Sequence, residues 1–195
     1  MCKIDWSLII QALIAAGTLL VAIIAIWNDW IRKIFTPPRL KIIPQDLIGE
    51  KYNNETYFRL KVKNNRTWST VHNCKVLLAE VHRLNEDGNF IEKKLNAPHS
   101  FIWTSSQQEG QNISHERVFD FGILFSQGYF RPAINPMPNN FGDFGLVKKN
   151  DTVPYFLRIT GEGYFGKKLQ IFEVKWKSQT ENNKQDNAIV IKEIS

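Results

Sequence analysis

The chain is 195 residues long, carries a net charge of +6 and contains two cysteines, Cys2 and Cys74. Two cysteines, one of them beside a long apolar run, exclude the disulfide framework of a small exported domain. After that run about 165 residues remain, enough for one domain that buries its own core.

From Trp6 to Asn28 the sequence holds 23 residues without a charge. At about 1.5 Å rise per residue, such a run crosses the ~30 Å hydrocarbon core as a helix. Trp6 on one side and Trp27 and Trp30 on the other flank it as interfacial aromatics do. It is longer than the apolar region of a secretory signal and ends in bulky residues, where a signal ends in a small-residue cleavage site. Within it Gln11, Ala15, Thr18, Ala22, Ala25 and Asp29 follow one another at spacings of 4, 3, 4, 3 and 4. That heptad rhythm places them on one face, with Leu13, Leu20 and Ile24 pointing elsewhere. Membrane helices associate through small residues and polar contacts, so this stripe is the expected seam of a homo-oligomer. In a dimer or trimer it makes a tight buried seam. In a ring of four or more it lines a narrow pore, with Gln11 and Thr18 wetting it and Asp29 forming a cation-favouring acidic ring at the inner mouth. A lone anchor whose alanines fall in phase by chance is the alternative.

Lys3 and Asp5 precede the run, whereas Arg32, Lys33, Arg39 and Lys41 follow it. The positive-inside rule therefore puts the N-terminus outside and the large C-terminal part in the cytoplasm, as in a single-pass inner-membrane protein. Pro37 and Pro38 stop any helix leaving the membrane. Residues 1–36 thus read as the helix with its short outside tail and a connector, and residues 37–195 as a domain close under the bilayer. The glycosylation-like triplets beginning at Asn54, Asn65 and Asn112 then have no role.

The domain reads as mainly β, an immunoglobulin-like β-sandwich. Strands are predicted at 39–43, 57–63, 71–83, 101–105, 117–124, 154–160, 169–177 and 188–194, many with apolar alternation at period two. Phe58, Leu60 and Val62 oppose Arg59, Lys61 and Lys63. Phe172, Val174 and Trp176 oppose Glu173, Lys175 and Lys177, so each of these strands has one wet face. Turn residues punctuate the strands at 64–65, 85–89 and 161–166. Residues 126–150 show no sustained period and mix glycine, proline and four aromatics. A stretch of that length is either a packed crossover or an interaction surface.

Residues 31–66 hold nine Lys or Arg against Asp46, Glu50 and Glu55, which accounts for the whole positive excess. Two uses follow: attraction to anionic lipid, and binding of a nucleotide or single-stranded nucleic acid on cations interleaved with aromatics. Tyr57, Arg59, Lys61 and Lys63, together with Tyr164, Phe165, Lys167 and Lys168, supply both ingredients. Ordinary solvated strand faces are the alternative.

Apparent catalytic motifs lack their context. Gly161, Gly163 and Gly166 spell GxGxxG, but a strand rather than a helix follows, so the segment reads as a hairpin loop. Asp120, Phe121 and Gly122 spell DFG without a catalytic loop upstream. His72, Cys74 and His82 lack the paired spacing of a zinc site, and a buried structural cysteine beside a surface histidine fits better. His99 and His115 lie in polar loop-like surroundings, and no Ser, His and acid order stands out. No catalytic residue, metal or cofactor is expected.

Five segments carry a resemblance: KVKNN at 61–65, HNCKVLLAEV at 72–81, FIW at 101–103, FDFG at 119–122 and EVKW at 173–176. They resemble the strands of a broad group of small bacterial single-span membrane proteins with a cytoplasmic β-sandwich domain. The likeness covers most of the chain and implies the fold. By architecture rather than by motif, the chain also resembles the single-span effectors of bacterial anti-phage systems, the Hailong effectors among them. That resemblance implies a homo-oligomeric channel, a tetramer or larger, gated by a nucleotide or oligonucleotide that a partner nucleotidyltransferase makes. The alternative is a membrane-anchored adaptor without a pore, recruiting a protein partner through residues 126–150.

Overall fold

A computed structural model describes residues 6–26, 37–45, 49–67, 69–84, 90–104, 110–137, 145–166, 168–178 and 187–194. The chain divides into two compact units, Met1–Pro38 and Arg39–Ser195.

The first unit contains α1 (Trp6–Ile26), a 21-residue helix with no proline and no buried residue. At 1.5 Å per residue it is about 30 Å long. Leu8, Leu13, Ile14, Leu19, Leu20, Val21 and Ile24 are all exposed on it. Such a helix is long and apolar enough to cross a membrane. Trp27, Asn28, Asp29 and Trp30 lie outside the described residues.

The second unit is built of β1 (Leu40–Pro44), β2 (Glu50–Tyr52), β3 (Glu55–Asn64), β4 (Val71–Leu84), β5 (Phe90–Trp103), β6 (Gln111–Ile113), β7 (Glu116–Phe125), β8 (Tyr129–Pro132), β9 (Ile134–Asn135), β10 (Val147–Lys148), β11 (Thr152–Gly161), β12 (Tyr164–Phe165), β13 (Gln170–Ser178) and β14 (Asn187–Ile194). The main path of the sheet runs β1-β3-β7-β5-β4-β11-β13-β14. The two layers of a sandwich are present but joined into one nearly closed sheet. β5 makes the corner, because its first part pairs with β4 whereas Ile102 and Trp103 pair with β7. The far ends of the path meet through side chains. The Ile42 N–H donates to Gln170 Oε1 at 2.9 Å, and Lys41 Nζ lies 3.0 Å from Glu193 Oε2.

Period-two patterning decides which residues go inside. On β3, Phe58, Leu60 and Val62 are buried, and on β13, Phe172, Val174 and Trp176 are buried. Phe121 lies at the centre of the core, with ring centroids 5.8 Å from Phe101, 5.8 Å from Tyr155, 6.0 Å from Phe130 and 6.1 Å from Phe172. Aromatic pairs at this separation hold the two layers together beyond simple area burial.

Two segments differ from the sequence expectation. β5 starts at Phe90 rather than at 101, because the strand carries Pro98 and a register irregularity against β4 between Leu78 and Glu80, which break the alternation. The aperiodic stretch 126–150 is largely packed: it supplies β8, β9 and β10, and Phe130, Ile134 and Val147 are buried. Phe141 and Phe144 lie outside the described residues.

Candidate functional site

Two regions carry the candidate residues, and α1 holds the first. Gln11, Ala15, Thr18, Ala22 and Ala25 are all exposed on the helix, while Asp29 lies outside the described residues. The Thr18 hydroxyl donates to the Ile14 carbonyl at 2.9 Å, one turn back. This back-bond satisfies the hydroxyl's only proton and leaves its oxygen lone pairs on the stripe face. In lipid or in a helix seam, Thr18 therefore offers an acceptor rather than a donor.

The second region is the outer face of β3. Tyr57, Arg59, Lys61 and Lys63 share that face, as alternation demands, but the neighbouring strand β7 brings acids into register with them. Arg59 stands opposite Asp120 and Lys63 opposite Glu116. The Arg59 Nε donates to Asp120 Oδ1 at 3.1 Å, and its Nη1 pairs with Glu50 Oε2. Burial alone would lower the Arg59 pKa, but Asp120 and Glu50 outweigh it and hold the guanidinium above its ordinary value. Asp120 also accepts from Thr104 Oγ1 at 3.0 Å. Lys61 Nζ lies 3.4 Å from Glu116 Oε2. The Tyr57 hydroxyl donates to Glu55 Oε2 at 2.9 Å, and this bond, with some burial, raises its pKa. Lys63 alone in the row is exposed with no acidic partner among the described residues.

The hairpin of β11 and β12 carries the remaining candidates at one end of the domain. Tyr164 is half-buried and packs against the core. Burial raises its pKa, opposed by a hydrogen bond from the backbone of Leu40. The Leu40 end of β1 pairs with Asn64, so the hairpin and Lys63 share that end of the domain. Phe165 is 64% exposed, with the Arg158 guanidinium 5.1 Å from its ring centroid. Lys168 is exposed, and Lys167 lies outside the described residues. Tyr57 stands about 20 Å from Lys63 along β3, at about 3.4 Å per residue. The candidates thus fall into two groups: Tyr57 and Arg59 toward one end, and Lys63, Phe165 and Lys168 at the other. Tyr164 turns inward and anchors the hairpin.

Sequence reasoning missed the counter-charges. Glu116 and Asp120 recur at even spacing on β7, and that pattern was the available signal; their partners depend on register. It also missed the stack on β7 and β8, where the Phe125 and Tyr129 centroids lie 4.8 Å apart and Arg131 Cζ lies 4.7 Å from the Phe125 centroid.

The remaining motif residues hold structural positions. Gly161, Gly163 and Gly166 form the β11–β12 hairpin, with Gly163 at φ +68° and the Gly166 N–H bonded to the Ile159 carbonyl at 2.9 Å. His72 is exposed and Cys74 fully buried, separated by an irregularity at which Asn73 adopts φ 47°. Burial pushes the Cys74 thiol up from 9.0 to about 12, where it is no nucleophile at neutral pH. Among the described residues, no three His, Cys, Asp or Glu side chains gather as a metal ion requires. No family model matches the chain, and no curated protein matches it.

Proposed function

We propose that the protein is a self-associating single-pass membrane effector whose α1 helices meet along the Gln11, Ala15, Thr18, Ala22 and Ala25 stripe and line an ion-conducting path. The observation that carries this reading is α1 itself. An uncharged, largely apolar helix of 21 residues with none buried needs lipid or other helices around it, and its few polar groups occupy a single face. In this reading the β domain lies on the cytoplasmic side and senses a ligand. The proximity of β1 to the helix in sequence supplies the coupling, since a ligand shifts such an assembly by its differential affinity for two domain arrangements. A nucleotide or oligonucleotide ligand and a role in anti-phage defence rest on the resemblance to single-span effectors.

Expressed alone, the protein is expected to depolarise bacterial cells. Changing Gln11→Leu and Thr18→Leu together is expected to abolish this, and undiminished depolarisation in the double variant would overturn the pore.

The ion pairing of Arg59 and Lys61 favours a second reading, a membrane-tethered adaptor without a pore. A phosphate approaching those cations competes with Glu50, Asp120 and Glu116. If this face binds an oligonucleotide, affinity falls with salt and with Lys61→Ala and Lys63→Ala. Salt-insensitive binding would point to a protein partner.

A further inference from the structure

The Leu40 end of the β domain gathers features that the ligand row on β3 does not explain. β1 begins there, and so do the last residue of β3, the hairpin of β11 and β12, and the start of β13, whose Gln170 accepts the Ile42 N–H. At this end Phe165 projects from the hairpin with 64% of its surface exposed. At the same end Arg39, Lys63 and Lys168 are exposed and make no ion pair among the described residues, although Glu116 stands opposite Lys63 in register and Glu162 of the hairpin is exposed as well. Arg158 backs the Phe165 ring from the adjoining strand. The cations farther along the outer face, Lys61 and Arg59, are by contrast paired with carboxylates. Among the described residues, three such cations thus share one end of the domain with an exposed apolar ring, although Lys51, Lys149 and Lys192 are exposed elsewhere.

We infer that this end of the domain is a second membrane contact, in which Phe165 enters the headgroup region and Arg39, Lys63 and Lys168 meet anionic phospholipid. An exposed aromatic that shares one end of a domain with exposed cations is the side-chain combination that settles at a bilayer surface. The bilayer is also the nearest partner by connectivity. Only residues 27–39 separate Ile26 from Leu40, a tether of at most about 50 Å at 3.3–3.6 Å per residue. Each cation brought to an anionic surface is worth about fivefold in affinity, so three of them and one aromatic suffice to hold a domain already tethered at that distance. The contact fixes the end of β1 nearest the helix in sequence. It requires α1 to lie in a membrane, and it requires neither a pore nor a nucleotide.

The test uses the full chain in lipid nanodiscs, reading amide hydrogen exchange at 162–166 by mass spectrometry. Exchange there is expected to slow severalfold in discs containing phosphatidylglycerol relative to neutral phosphatidylcholine discs. It should return to the neutral rate at about 1 M salt, where the screening length is about 3 Å. Phe165→Ser and the double change Lys63→Glu, Lys168→Glu are expected to remove the difference without changing the thermal midpoint, since all three side chains are exposed. Equal exchange in both discs overturns the contact. Equal slowing in neutral discs on adding soluble glycerol phosphate also overturns it, by assigning the cations to a free anion. A chain that enters neither disc overturns the membrane placement of α1, and this contact with it.

Discussion

Phe130 lies directly over the Cα of Gly122, and a methyl group there meets three atoms of its ring. Because Phe130 is fully buried and also flanks Phe58 and Phe121, the ring has no free direction in which to retreat. Gly122→Ala is therefore expected to cost about 1–3 kcal/mol, as overpacking of a filled core does. A clear fall in the thermal midpoint checks this; an unchanged midpoint would mean that the ring relocates freely. Cys74 makes a prediction of a different kind. Its thiol keeps its proton up to about pH 12 when folded, whereas the unfolded chain loses it near 9.0. Above about pH 9 the folded state then binds more protons than the unfolded one, so stability is fully present below that pH and declines as pH rises toward 12. Burial of Tyr155 raises its pKa and acts in the same direction at alkaline pH. Unfolding midpoints measured across the alkaline range should fall more steeply in the parent than in Cys74→Ala, and parallel curves would contradict the assignment.

At the scale of elements, the join between β1 and the β13–β14 pair sets how firmly the sheet closes. The Ile42 N–H would be left without a partner if Gln170 lost its amide, because β1 has no backbone partner on that edge among the described residues. Gln170→Leu is expected to cost about 1–3 kcal/mol and to speed exchange of the Ile42 amide. Lys41→Ala, which removes a half-exposed ion pair with Glu193, should cost less than about 1 kcal/mol. Equal effects of the two changes would mean that charge, not the backbone bond, holds the join. The long strands were legible in the sequence because β3 alternates along its length, and β7, β11 and β13 alternate over part of theirs, each burying one face. β2, β6, β9, β10 and β12 were not, since two or three residues display no period. β5 was half-legible for the same reason: its first part lacks alternation and holds Pro98. The candidate site was legible as a set of outward cations but not as a charge balance. Only the register of β3 on β7, with its irregularity between Phe58 and Arg59, decides that Arg59 meets Asp120.

For the whole molecule, the uncharged run and the β domain set different constraints. The domain closes on its own aromatic core and buries most of its described apolar side chains, Phe165 and Tyr52 being among those left exposed. Among the described residues the helix has no buried side chain, so its large apolar surface calls for lipid or other helices and its polar stripe for water or another copy of itself. Self-association along that stripe is the central proposal, and the pore depends on it, because one helix encloses no channel. The measurement that tests it most directly is the mass of the chain extracted in lipid particles, by native mass spectrometry. The account predicts assemblies of four or more chains, reduced in number by Gln11→Leu together with Thr18→Leu. A monomer at every lipid and protein concentration would contradict it.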